Sequence, residues 1–91
     1  MKDAQIKGLI LRFLSSVYPH GLTLDFINAL LYDWRVFCSK EELLKGHIRH
    51  LANKGYIEIK VVEGTEKLRI TEKGLALLNG ELLDKEISLE V

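Results

Sequence analysis

The sequence predicts an α+β domain, and three features carry that reading. Apolar residues recur at helical spacing through two N-terminal stretches and again after Ser39. Beyond Gly55 the period switches to two. Tyr56, Ile57, Glu58, Ile59, Lys60 and Val61 are strand-type residues, and Lys67-Leu68-Arg69-Ile70 returns after a polar Glu63-Gly64-Thr65-Glu66 turn. Thr71 then opens another helical pattern, so helix, strand, strand and helix follow one another closely.

The first helix is expected over 3–17. Ile6, Leu9, Ile10, Phe13, Leu14 and Val17 make one buried stripe, and Gly8 is an internal weak point that costs about 1 kcal/mol against Ala. Tyr18-Pro19-His20-Gly21 ends it, because the residue before proline resists the helical region. Thr23 caps a second helix over 23–32 that is apolar nearly all round and is expected to be the most buried. Asp33 to Cys38 connects it to the third. In that link Val36 and Phe37 suit a short strand, and Trp34 suits packing across the junction of helices two and three.

The third helix is expected over 39–54. Ser39 and Glu42 form a capping box, Leu44, Ile48, Leu51 and Ala52 face inward, and Gly55 stops the helix. The hairpin spans 56–70. A fourth helix is expected over 71–83, with Leu75, Leu78 and Leu82 on one side, followed by a tail over 84–91 that reads as frayed or, from its alternating Ile87, Leu89 and Val91, as a short strand. The whole chain, 1–91, reads as a single domain without repeats or a dividing linker.

The run HLANKGYIEI…LRITEKGLALL resembles the small winged-helix transcriptional regulators. In these, the third helix ends in a Gly-Tyr/Leu-Ile step and the wing is followed by (L/I)T-x-x-G. The resemblance covers about three quarters of the chain. It implies a winged helix: a three-helix core, a two- or three-stranded antiparallel wing and a C-terminal helix. It further implies that helix 39–54 and the wing bind double-stranded DNA, and that the terminal helices form a homodimer.

Composition sets limits. Thirteen basic and thirteen acidic residues give a formal net charge of zero, whereas DNA-binding domains usually carry a basic excess. The single Cys38 excludes an internal disulfide, and the N-terminus lacks the long apolar run of a signal peptide or membrane span. A cytoplasmic protein without membrane contact is expected.

On a helical wheel with Leu44, Ile48 and Leu51 inward, Glu42, Lys45, Gly46, Arg49 and Asn53 point outward, with His50 beside them. Arg reads guanine and Asn reads adenine, so Lys45, Arg49, His50 and Asn53 are the expected groove readers. Lys40, Lys54, Lys60, Lys67 and Arg69 are the expected phosphate contacts. Glu41, Glu42 and the acidic wing tip, Glu63-Gly64-Thr65-Glu66, oppose a polyanion. They suit the alternative of a protein-interaction module or a small phage or mobile-element protein without autonomous DNA binding. Cys38, His47 and His50 match no standard metal spacing, and neither a nucleophile with a base nor a phosphate loop is present. No cofactor and no enzymatic activity are expected.

Overall fold

The computed structural model describes residues 2–34 and 41–89. The expected Ser39 cap, the Val36-Phe37 strand, Lys40 and Cys38 lie outside the described residues. Helices α1 (Asp3–Ser15), α2 (Leu24–Asp33) and α3 (Glu41–Asn53) precede strands β1 (Ile57–Val62) and β2 (Thr65–Ile70), and α4 (Glu72–Leu78) follows. The chain is thus α+β, with an antiparallel hairpin and, beside it, a bridge from Leu22 to Leu68. Leu22 both donates to and accepts from Leu68, at 2.9 and 2.8 Å. The third strand position is therefore filled from the loop between α1 and α2.

Local chemistry explains the element ends. The Lys2 N–H donates to Gln5 Oε1 at 2.9 Å at the start of α1, and Thr23 Oγ1 accepts from the Phe26 N–H at 3.2 Å at the start of α2. Gly55, with φ +83°, closes α3: the Tyr56 N–H donates to Leu51 C=O and the Gly55 N–H to Ala52 C=O, both at 3.0 Å. Thr71 works twice. Its Oγ1 accepts from the Gly74 N–H at 3.2 Å and donates to Gly55 C=O at 2.6 Å, tying the start of α4 to the end of α3.

The hairpin turn is tighter than expected. Glu63 and Gly64, with φ +51° and +79°, form the two-residue loop, and Thr65 and Glu66 already belong to β2, paired with Val62 and Val61. Positive φ at both central residues is the twist that matches a two-residue hairpin.

The core gathers around α1. Leu9, Ile10, Leu11 and Leu14 are fully buried, joined by Ile27 and Leu31 of α2, Leu44 and Leu51 of α3, Leu68 and Ile70 of β2, and Leu77 of α4. Each such side chain stabilises the fold by about 1.5–3 kcal/mol relative to exposure. Leu11, off the expected stripe, is buried because α1 is covered on more than one side. The expectation for α2 is overturned: it buries only Ile27 and Leu31, while Phe26 and Tyr32 are 53% and 66% exposed. Trp34 is also half exposed, and its ring tilts against Phe13 of α1 at 6.1 Å; the linker that forms the rest of the junction of helices two and three lies outside the described residues.

The C-terminal part differs most. Helix α4 ends at Leu78, not at residue 83, because Gly80, with φ +82°, reverses the chain. The Glu81 N–H donates to Ala76 C=O at 2.9 Å, and the Gly80 N–H to Leu77 C=O at 3.2 Å. Leu77 is the most deeply buried leucine of α4, Leu75 and Leu78 pack partly buried against the core as their spacing requires, and Leu82 and Leu83 fall outside the helix. Residues 84–89 do not fray. Ile87 is buried, the Ser88 N–H donates to Ala4 C=O at 3.0 Å, and Arg12 donates to Leu89 C=O at 2.8 Å. This strap lies across Gly8, where any added Cβ would collide with the Ser88 carbonyl. No helix among the described residues is long and apolar enough to cross a membrane.

The two mid-helix glycines should therefore respond oppositely. Ala at Gly46, where the space is open, should stabilise the protein by up to about 1 kcal/mol through helix propensity. Ala at Gly8 gains the same propensity but clashes with the strap, which typically costs about 1–3 kcal/mol. Gly8→Ala should thus lower the thermal midpoint and deprotect the Ser88 amide in hydrogen exchange, whereas Gly46→Ala should raise the midpoint.

Candidate nucleic-acid interface

Helix α3 presents two surfaces. Its inward residues Leu44, Ile48 and Leu51 are buried, and Glu42, Lys45, Gly46, Arg49 and Asn53 are exposed, as their spacing requires. The exposed row borders a cleft of about 380 Å³ between α3, the start of α2 and the hairpin. Lys45, Arg49 and Asn53 form one wall, Leu24, Ile48, Ala52, Ile59 and Leu68 the floor, and Glu66 stands opposite. The cleft is thus apolar at its base, cationic on the helix side and acidic on the hairpin side.

The remaining expected contacts go elsewhere. Side chains alternate along a strand, so Ile57, Ile59, Val61, Glu66, Leu68 and Ile70 share one face of the hairpin and Glu58, Lys60, Lys67 and Arg69 the other. Lys60 and Lys67 sit directly opposite each other on that second face, away from the cleft. Arg69, beside them, is held by the Glu58 carboxylate across the strands. Around Arg69, Glu58 and Glu72 line a second recess of about 240 Å³, an unfavourable setting for a phosphate.

His50 and Lys54, at the far end of α3, are engaged by the strap. Lys54 Nζ donates to both Asp84 oxygens at 3.0 and 2.8 Å and to Glu86 Oε1 at 2.9 Å. His50 Nε2 lies 3.1 Å from Glu86 Oε2. Tyr56 Oη donates to Asp84 Oδ2 at 2.7 Å, and Lys73 Nζ crosses the Tyr56 ring to donate to Lys54 C=O at 2.7 Å. Burial pushes the Asp84 carboxyl up, but hydrogen bonds from Lys54, Tyr56 and the Glu86 N–H outweigh it and hold the group down to about 2. The Lys54 ammonium is pushed above its ordinary range by the hydrogen bonds to Asp84 and Glu86, and the same bond to Lys54 lowers Glu86.

Sequence reasoning did not find this cluster. Asp84 and Glu86 read as tail residues, and the available signal was Asn79-Gly80, which stops α4 early and frees the chain to turn back.

His47 is buried against the start of α1. Its Nε2 lies 3.7 Å from Asp3 and makes no hydrogen bond. Since His47 faces Asp3 and His50 faces Glu86, the two histidines serve separate partners. Among the described residues no group of three or more His, Cys, Asp or Glu side chains is placed to hold a metal ion. Comparison with protein-family models, curated proteins and solved structures gives no match.

Acid should weaken the fold in two steps. Burial lowers the His47 pKa from 6.5, with the Asp3 charge only partly opposing it, so the unfolded chain binds more protons below that value and stability falls. Asp84 stays ionised down to about 2, against 3.8 when unfolded, so its contribution is complete above 3.8 and disappears as the pH falls toward 2. Urea unfolding at a series of pH values should show both limbs. Asp84→Asn should shrink the second to the part that Glu86 contributes and leave the first.

Proposed function

We propose that this chain is a winged-helix DNA-binding protein acting in transcription regulation, with α3 entering the major groove. The observation that carries the reading is the row Lys45, Arg49 and Asn53, exposed one turn apart along the outward side of α3. The Arg49 guanidinium forms no ion pair or hydrogen bond with the described residues and is directed to the cleft rim. The order of helices, the hairpin after α3 and the third strand position at Leu22 support the winged-helix layout.

In this reading Lys60 and Lys67, on the outer face of the hairpin, supply phosphate contacts, and a reducing cytoplasm suits the lone Cys38. A homodimer on the C-terminal side would use Leu83, which is 95% exposed, because Leu75, Leu77 and Leu78 pack on the chain's own core.

A second reading has its own support. The apolar cleft floor, the facing Glu66 and the zero net charge favour a protein ligand over a polyanion. Salt separates the two: duplex affinity must fall steeply as salt rises, and a protein-binding module would show no retention on duplex DNA at low salt.

Arg49→Ala is expected to cost about 1–3 kcal/mol and to relax preference at one base position of a selected operator. Lys67→Ala should weaken binding to all sequences alike and lower the salt slope by about 1. Quantitative binding on an operator selected from random duplexes checks both. Unchanged affinity for Arg49→Ala would remove the groove assignment.

A further inference from the structure

The basic side chains in the C-terminal half of α3 and just beyond it meet different fates. Arg49 stands unpaired among the described residues, while His50 and Lys54 are covered by carboxylates from the chain's own C-terminal strap. The pairing geometry resembles the way cations take a phosphate. Two oxygens of Asp84 and one of Glu86 converge on the Lys54 ammonium at 2.8–3.0 Å, and the second Glu86 oxygen meets His50. Lys73 already satisfies the Lys54 carbonyl at the end of the helix, which reduces the negative field that would repel an anion there.

The two carboxylates are held differently. The Asp84 side chain is 10% exposed, accepts from Tyr56, and is built into the fold. Glu86 is 60% exposed, and among the described residues its carboxylate contacts Lys54 and His50 alone. An exposed ion pair of this kind is weak and salt-screened, so a polyanion can compete with it. Beyond it the strap is fastened by the Ser88–Ala4 and Arg12–Leu89 hydrogen bonds and by Ile87, over the bare backbone at Gly8.

We infer that residues 84–89 act as an internal competitor, in which Glu86 occupies a phosphodiester site formed by His50 and Lys54 at the end of α3. This rests on the DNA-binding reading and adds to it a masked backbone contact. The ligand is a nucleic-acid backbone phosphate, and binding it lifts Glu86 away and loosens the strap that Glu86 helps to hold on α1. Stability and DNA affinity are thereby opposed: what holds the strap down also withholds two N–H donors, His50 Nε2 and the Lys54 ammonium, from the duplex.

The test uses the full chain and Glu86→Gln, which keeps the side-chain shape and removes the charge from an exposed position. Each is titrated with labelled random duplex DNA across a range of salt, and amide exchange at Ser88 is followed with and without saturating duplex. Glu86→Gln should bind roughly two- to fivefold tighter at low salt, the range set by one exposed ion pair. Its salt slope should be steeper by about 1. In the unaltered protein, duplex should accelerate exchange of the Ser88 amide, and Lys54→Gln placed on Glu86→Gln should cancel the gain.

If the unaltered chain binds duplex but Glu86→Gln binds no tighter, or Ser88 stays protected in the complex, the competitor is overturned and the DNA reading stands. If neither protein binds duplex at low salt, the DNA reading itself fails and the inference goes with it.

Discussion

A chain of 91 residues has one core, and here that core must enclose α1 on more than one side. Leu11 makes the demand plain. It sits off the stripe formed by Ile6, Leu9, Ile10 and Leu14, yet it too is fully buried. Two faces of α1 therefore need partners. Helices α2, α3 and α4, strand β2 and the strap supply them. The strap is the element that a frayed tail could not replace, and Gly8 is where the helix gives way to admit it.

That packing requirement shapes the surface. Once Ile87 is anchored and Ser88 is bonded to Ala4, Asp84 and Glu86 arrive beside Lys54 and His50. A structural need on α1 thus sets the electrostatics of α3. The zero net charge of the sequence is spread unevenly. Lys54 is neutralised at the C-terminal end of α3, Arg69 is neutralised by Glu58 on the hairpin, and Arg49 is left at the cleft. Where charges sit matters more to a polyanion than their sum.

Much of the fold was legible because its signals are local. Thr23, Gly55 and Thr71 each mark a helix end by hydrogen bonding or backbone freedom within a few residues, and all three act as their types predict. The outward position of Lys45, Arg49 and Asn53 follows from spacing alone. The errors lie where a local pattern met a distant partner. Helix α2 is apolar nearly all round, yet only two of its side chains are buried, because hydrophobicity does not say how many neighbours a helix will receive. Leu82 and Leu83 fit a longer α4 by composition, but Asn79-Gly80 stops it.

The sequence by itself determined the order of elements, the caps, the switch of period at Gly55 and the outward row of α3, since each depends on residues at most a few positions apart. Only the tertiary structure decided which cations stay available. Lys54 is separated from Asp84 by thirty positions and Arg12 from Leu89 by seventy-seven. No periodicity spans such distances. They are closed by the burial of α1, and the same folding step that completes the core draws acidic residues over one end of α3.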